Sequence, residues 1–121
     1  MMRDNLGVAA CAAAVLVGWA GFAGAQQGVV LYTSNEATLN KLIAAEFEKA
    51  TGIELNVISA GSGVVITRLQ SEKDRPQGDL VWGISRSLLQ TNAEYFDAYA
   101  SEHKNVVPAE FRDPQDRWIG T

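Results

Sequence analysis

Three short stretches carry residues that could grip a polar ligand: Thr33-Ser34-Asn35, Ser59-Ala60-Gly61-Ser62-Gly63 and Gly83-Ile84-Ser85. All are small, rich in hydroxyls or amides, and lack an acid–base pair. Ser62, set between Gly61 and Gly63, raises three chemistries in turn. A nucleophile elbow, G-x-S-x-G, needs glycines two positions either side of the serine, and here they stand one away. The single histidine, His103, lies in a polar stretch far along the chain, and nothing brings it to a serine and an acid. A nucleotide-binding loop needs Gly-Lys-Ser/Thr where Val64-Val65 stand. A dinucleotide fingerprint lacks its third glycine, and Asp79, near the right distance, opens a strand instead of closing one. An anion site fits better. Gly61 and Gly63 let backbone approach a ligand, the first N–H groups of a helix are unpaired and partly positive, and Ser62 adds a hydroxyl. An ordinary strand-to-helix turn with a serine cap uses the same residues. Repetition at three strand ends favours a ligand floor made by Thr33, Ser34, Asn35, Ser59, Gly61, Ser62, Gly63, Gly83 and Ser85. Trp82 would wall that floor or be buried as an ordinary core aromatic.

The elements that must position these residues follow from hydrophobic period. Residues 28–32, "GVVLY", predict a buried strand. Thr33 and Glu36 predict a capping box, with Asn35 as a competing cap. The helix then runs to Lys49 or Ala50, with Leu39, Ile43 and Phe47 on one face. Gly52 ends it in the left-handed conformation. A second strand is predicted at 53–59 and a second helix from Ser62 to Glu72, with Val65, Ile66 and Leu69 as its stripe. A loop at 73–78 leads to a third strand at 79–83. Ser85 caps a third helix with Leu88, Leu89, Asn92 and Phe96 near one side. Pro108 starts a short helix, 112–116 is a turn, and 118–121 looks like the start of another strand. Strands alternating with helices predict the α/β class, a parallel sheet with helices on both faces. Ligands in such sheets bind outside the carboxyl ends of the strands, so the three stretches should share one rim.

Bulk properties narrow the function. Residues 1–25 read as a secretory signal peptide: Arg3, an apolar run from Leu6 to Phe22, and the small-residue site Ala23-Gly24-Ala25, with cleavage expected after Ala25. Cys11, the only cysteine, would leave with the leader. The remaining 96 residues would hold no disulfide, no thiol nucleophile and no cysteine metal site, which suits a bacterial periplasm. They carry nine basic and 13 acidic residues with no basic block, which argues against a nucleic-acid partner. One domain is the ceiling for this length.

The chain resembles the start of a periplasmic solute-binding protein of an ABC importer, of the group described as iron(III)-, aminoethylphosphonate- or polyamine-binding. The matching pieces are the Tyr32-Thr33-Ser34 strand end, "FEKATGI" at 47–53, "GSG" at 61–63 before a helix, "EKDRPQGDLVWG" at 72–83 and "VPAEFRDPQDRWIG" at 107–120, in order across 28–121. The resemblance implies a two-lobed clamp without enzymatic activity or cofactor, which delivers its solute to an inner-membrane permease. Residues 26–121 would form part of the first lobe, with the second lobe beyond them. Iron binders of this group often place a histidine just after the first strand and a carboxylate after the third. Here Thr33-Ser34-Asn35-Glu36 and Gly83-Ile84-Ser85 stand instead, and the family's paired tyrosines would belong to the other lobe. The resemblance therefore implies a small anionic, phosphonate-like solute, or an iron(III)–anion complex with this lobe on the anion. The rival from another class is an exported α/β enzyme working through Ser62. A fragment inactive by itself is the third reading.

Overall fold

The computed structural model describes residues 28–120. The expected signal peptide and Cys11 lie outside the described residues.

Strand β1 (Val29–Thr33) is followed by α1 (Ala37–Thr51), β2 (Leu55–Ser59), α2 (Ser62–Ser71), β3 (Leu80–Trp82) and α3 (Arg86–Thr91). The strands form one parallel sheet in the order β2-β1-β3. The expected α/β architecture is therefore present. The connection from β1 to β2 and that from β2 back past β1 to β3 run in opposite directions. Right-handed crossovers then place α1 and α2 on opposite faces of the sheet. Register divides the strand residues between those faces. Leu31 and Thr33 share one with Val57, Ser59, Leu80 and Trp82, and Tyr32 shares the other with Ile58 and Val81. The buried apolar set is Leu31, Tyr32, Leu55, Val65, Ile66, Leu89 and Ala93.

Local chemistry explains most of the element ends. Gly52 takes φ 71° and donates its N–H to the Glu48 carbonyl, the left-handed helix end its sequence predicts. The Glu48 carboxylate also accepts the Leu55 N–H at 3.1 Å, which ties that helix end to β2. Val65 and Ile66 are buried, and Leu69 is half-buried. Asp79 accepts the Val30 N–H at 2.8 Å, so the carboxylate considered for a dinucleotide instead joins the approach to β3 to β1.

Four expectations need correction. The capping box does not form. Thr33 stays extended to pair with Ser59 and Trp82, its hydroxyl accepts the Asn35 N–H at 3.1 Å, and Glu36 occupies the cap position without a side-chain bond. Of the expected α1 stripe, Phe47 faces inward, half-buried, but Leu39 and Ile43 are exposed, as is Leu42, and buried Asn40 and half-buried Ala44 accompany Phe47 instead. α1 packs on β2, and β3 lies on the far side of β1. Leu80 and Trp82 on that face are also exposed. The third helix stops at Thr91, because the Asn92 side-chain amide and backbone N–H both turn back to the Leu88 carbonyl. A single 3-10 turn at Ala93–Tyr95 replaces its expected second half. Residues 118–120 join no parallel sheet. Ile119 makes one antiparallel bridge to Arg112 beyond the 3-10 turn Ala109–Phe111.

Candidate functional site

β1 lies between the other two strands, so the loop after it is the one that can touch both neighbouring loops. An order of β2-β1-β3 is also the arrangement in which successive connections leave a crevice at the carboxyl ends of β1 and β3. Ser34, Asn35 and Gly83 lie there. The Ser34 hydroxyl donates to the Gly83 carbonyl, and the Ser62 hydroxyl donates to Ser34 Oγ at 3.0 Å. The Ser59 hydroxyl donates to the Asn35 carbonyl at 3.2 Å. Gly83 takes φ 75°, and a Cβ there would fall on the Asn35 amide. Three loops far apart in sequence are thus fastened into one rim.

The predicted residues fall into distinct groups. Ser34, Asn35, Ser59, Ser62 and Gly83 come together through the bonds just described. Thr33 lies under them, fully buried, with its hydroxyl already accepting from Asn35. Gly61 and Gly63 flank the start of α2, and nothing lies within 4 Å of a Cβ built on either, so the space above them is open. Ser85 stands at the start of α3, but its hydroxyl meets only that of Ser87, at 3.2 Å. The backbone N–H groups that open α1 and α2 lack intrahelical partners, as at any helix start, and give the rim its partial positive charge. Trp82 ends β3 beside the rim and is 38 % exposed, so the reading of it as a buried core aromatic does not hold. His103 is exposed in its loop, as its polar surroundings predict.

Beneath the rim, a cluster that periodicity did not single out holds β1. The Tyr32 phenol donates to Glu72 Oε2 at 2.8 Å, and Arg68 Nε donates to Glu72 Oε1 at 2.8 Å. The Arg68 guanidinium also lies 4.8 Å from the centre of the Tyr32 ring. Burial, together with the bond to Glu72, raises the phenol pKa above its ordinary value. Burial alone would push the Glu72 carboxyl up. Hydrogen bonds from Tyr32, Arg68 and the Gln77 backbone outweigh it and hold the carboxyl below its ordinary value. The i,i+4 spacing of Arg68 and Glu72 was the available signal. Asn40 was a second, being polar within an apolar helix. It is 5 % exposed, its amide donates to the Asn35 carbonyl at 3.0 Å, and its Oδ1 has no partner among the described residues.

Tyr32→Phe is expected to cost about 1–3 kcal/mol, because Glu72 loses a donor while still largely buried. The pH dependence fixes the assignment. A lowered Glu72 stabilises the fold above its unfolded value, ordinarily 4.5, and this is lost as pH falls through the folded value. A raised Tyr32 stabilises the fold below its unfolded value of 10.0, and this is lost as pH rises through the folded value. The stability gap between parent and variant, read from urea midpoints, should be widest between these limits and narrow outside them. A gap independent of pH would refute the assignment.

No family model matches the chain. A Sinorhizobium fredii protein named as a probable ABC transporter periplasmic-binding protein is 34 % identical over 74 residues, which are 59 % of this chain and 20 % of that one. The Trichodesmium protein solved with iron and citrate superposes with a TM-score of 0.69 at 25 % identity, over 77 % of this chain and 30 % of its own. Over these stretches the chain is similar in sequence to a protein named as an ABC transporter periplasmic-binding protein and shares its fold with the solved structure. The Actinobacillus pleuropneumoniae periplasmic binding protein AfuA, solved with fructose 6-phosphate, gives a TM-score of 0.67 at 24 % identity, over 79 % of this chain and 30 % of its own. The chain thus spans about 20 to 30 % of the length of these proteins. Among the described residues, no three His, Cys, Asp or Glu side chains gather as a metal site.

Proposed function

We propose that the chain forms part of the first lobe of a periplasmic solute-binding protein, and that its rim holds a small anionic solute for delivery to an inner-membrane ABC permease. The signal peptide at 1–25 would direct export. The observation that carries this reading is the fastening of the three strand-end loops around the open starts of α1 and α2. Such a rim offers backbone donors and partial positive charge, which suits a phosphonate, a phosphate ester or a carboxylate. The side-chain hydroxyls of Ser34, Ser59 and Ser62 already donate to protein acceptors. The N–H groups around Ser62 and Gly63 are therefore the principal donors, and Asn35 and Trp82 shape the approach. An iron(III)–anion complex is accommodated with this lobe on the anion, as the relative solved with iron and citrate suggests. The fructose 6-phosphate seen in AfuA supports the phosphate-ester form of the same contact. Binding requires no bond to be made or broken.

Titration calorimetry on the full chain with aminoethylphosphonate, fructose 6-phosphate and ferric citrate tests the proposal. Heat with at least one anion is expected, weakening as salt is added. Response to spermidine alone, or to iron(III) without an anion and with a tyrosinate colour, would overturn it.

A further inference from the structure

We infer that Ser34 is the positioning residue of the rim: its one hydroxyl couples the loops after all three strands and so sets the spacing of the donors that face a ligand. The part of this inference that concerns affinity rests on the anion reading above, whereas the coupling itself does not.

The direction of the hydrogen-bond chain is forced by chemistry. A backbone carbonyl only accepts, so the Ser34 proton must go to Gly83. Ser34 then has only lone pairs to offer Ser62, and the Ser62 proton must come to it. The order is Ser62 hydroxyl to Ser34 hydroxyl to Gly83 carbonyl, crossing 28 residues of sequence in one step and 49 in the next. No other side chain among the described residues bonds to both flanking loops.

The strand order explains why this role falls after β1. The loops of β2 and β3 sit either side of it and do not neighbour one another. Ser59 reaches across to the same hub through the Asn35 carbonyl, and the Asn35 amide occupies the place a Cβ at Gly83 would take. A ligand resting on the start of α2 would therefore meet a position set partly by β3, through Ser34. Losing the hydroxyl would free Gly83 from Ser62 while leaving every backbone donor in place. Threonine keeps the hydroxyl and should keep the coupling.

Amide NMR spectra of the full chain test this without any ligand. Ser34→Ala should shift the resonances at Gly83 and at Ser62–Val64 together, and Ser34→Thr should return both toward the parent. Ser62→Ala, which removes the other end of the chain, should also move Gly83. Shifts confined to the sequence neighbours of residue 34 would overturn the coupling, and so would an unmoved Gly83 in Ser62→Ala. With aminoethylphosphonate as probe, Ser34→Ala should weaken binding about tenfold and Ser34→Thr should recover most of it. Unchanged affinity in Ser34→Ala would overturn the affinity part. A parent chain that binds none of the tested anions would remove the anion reading and the affinity part together, and the ligand-free spectra would still decide the coupling.

Discussion

Gly78→Ala should destabilise the chain by about 3 kcal/mol, near the upper end for forcing an extra carbon into packed surroundings. A Cβ at this position would lie 2.7 Å from Tyr32 Cε2, 2.9 Å from Cζ and 3.0 Å from Cδ2. A surface side chain could swing aside, but this ring cannot. It is 1 % exposed, its hydroxyl is held by Glu72, and Arg68 lies over it. The backbone must move instead, and Gly78 immediately precedes Asp79, whose carboxylate and N–H both bond to Val30. A shift there would loosen the pairing of β3 with β1. Domains of this size are stable by only about 5–15 kcal/mol, so the loss is a large share of the total. Urea midpoints measure it, and a double-mutant cycle assigns it. In a Tyr32→Leu background, which removes the rigid ring, Gly78→Ala should cost well under half as much. An equal cost in both backgrounds would show that the ring contact is not the cause.

The same cluster shows what the sequence made legible and what it hid. Alternation of strands and helices was readable because each strand is a short β-branched or aromatic run and each helix has a stop. Gly52 marked the end of α1 without help from tertiary structure. The start of α1 was misread because two local rules competed for Thr33. A capping box needs Thr33 to hold a helix N–H, whereas strand pairing on both sides keeps it extended. Pairing uses backbone bonds on two flanks and outweighs a single cap. The exposed Leu39 and Ile43 show a second limit. Hydrophobic period locates an apolar face but not what covers it, and of that face only Phe47 turns inward, beside the buried Asn40. The rim itself was half legible. Residue types and their place at strand ends identified Ser34, Ser62 and Gly83, but not that Ser62 bonds to Ser34 or that Ser85 stands apart. Those facts depend on which strands are neighbours, and an order of β2-β1-β3 is set by crossovers rather than by any local pattern.

Gly83 offers the sharpest check on that order, because its close contact exists only if β3 lies beside β1. Gly83→Ala is expected to cost about 2 kcal/mol. Part comes from placing a side chain at φ 75°, which disfavours any residue with a Cβ. The rest comes from Asn35, whose amide occupies the space the new methyl would take. That amide is the end of a short side chain and can rotate away, so the clash is partly relieved, but the backbone strain is not. Removing the Asn35 side chain separates the two contributions. In an Asn35→Gly background the cost of Gly83→Ala should fall by roughly half, leaving the strain. Gly61→Ala is the control: Gly61 has φ −60° and open space around its Cα, so alanine there meets neither strain nor clash and should cost well under about 1 kcal/mol, the gain in the unfolded chain offsetting a poorer helix cap. Thermal or urea unfolding of the three variants decides the matter. If Gly83→Ala were as mild as Gly61→Ala, the loops after β1 and β3 would not meet as described. The rim could not then act as one surface, because the Ser34 bond to the Gly83 carbonyl depends on the same approach of backbone to backbone.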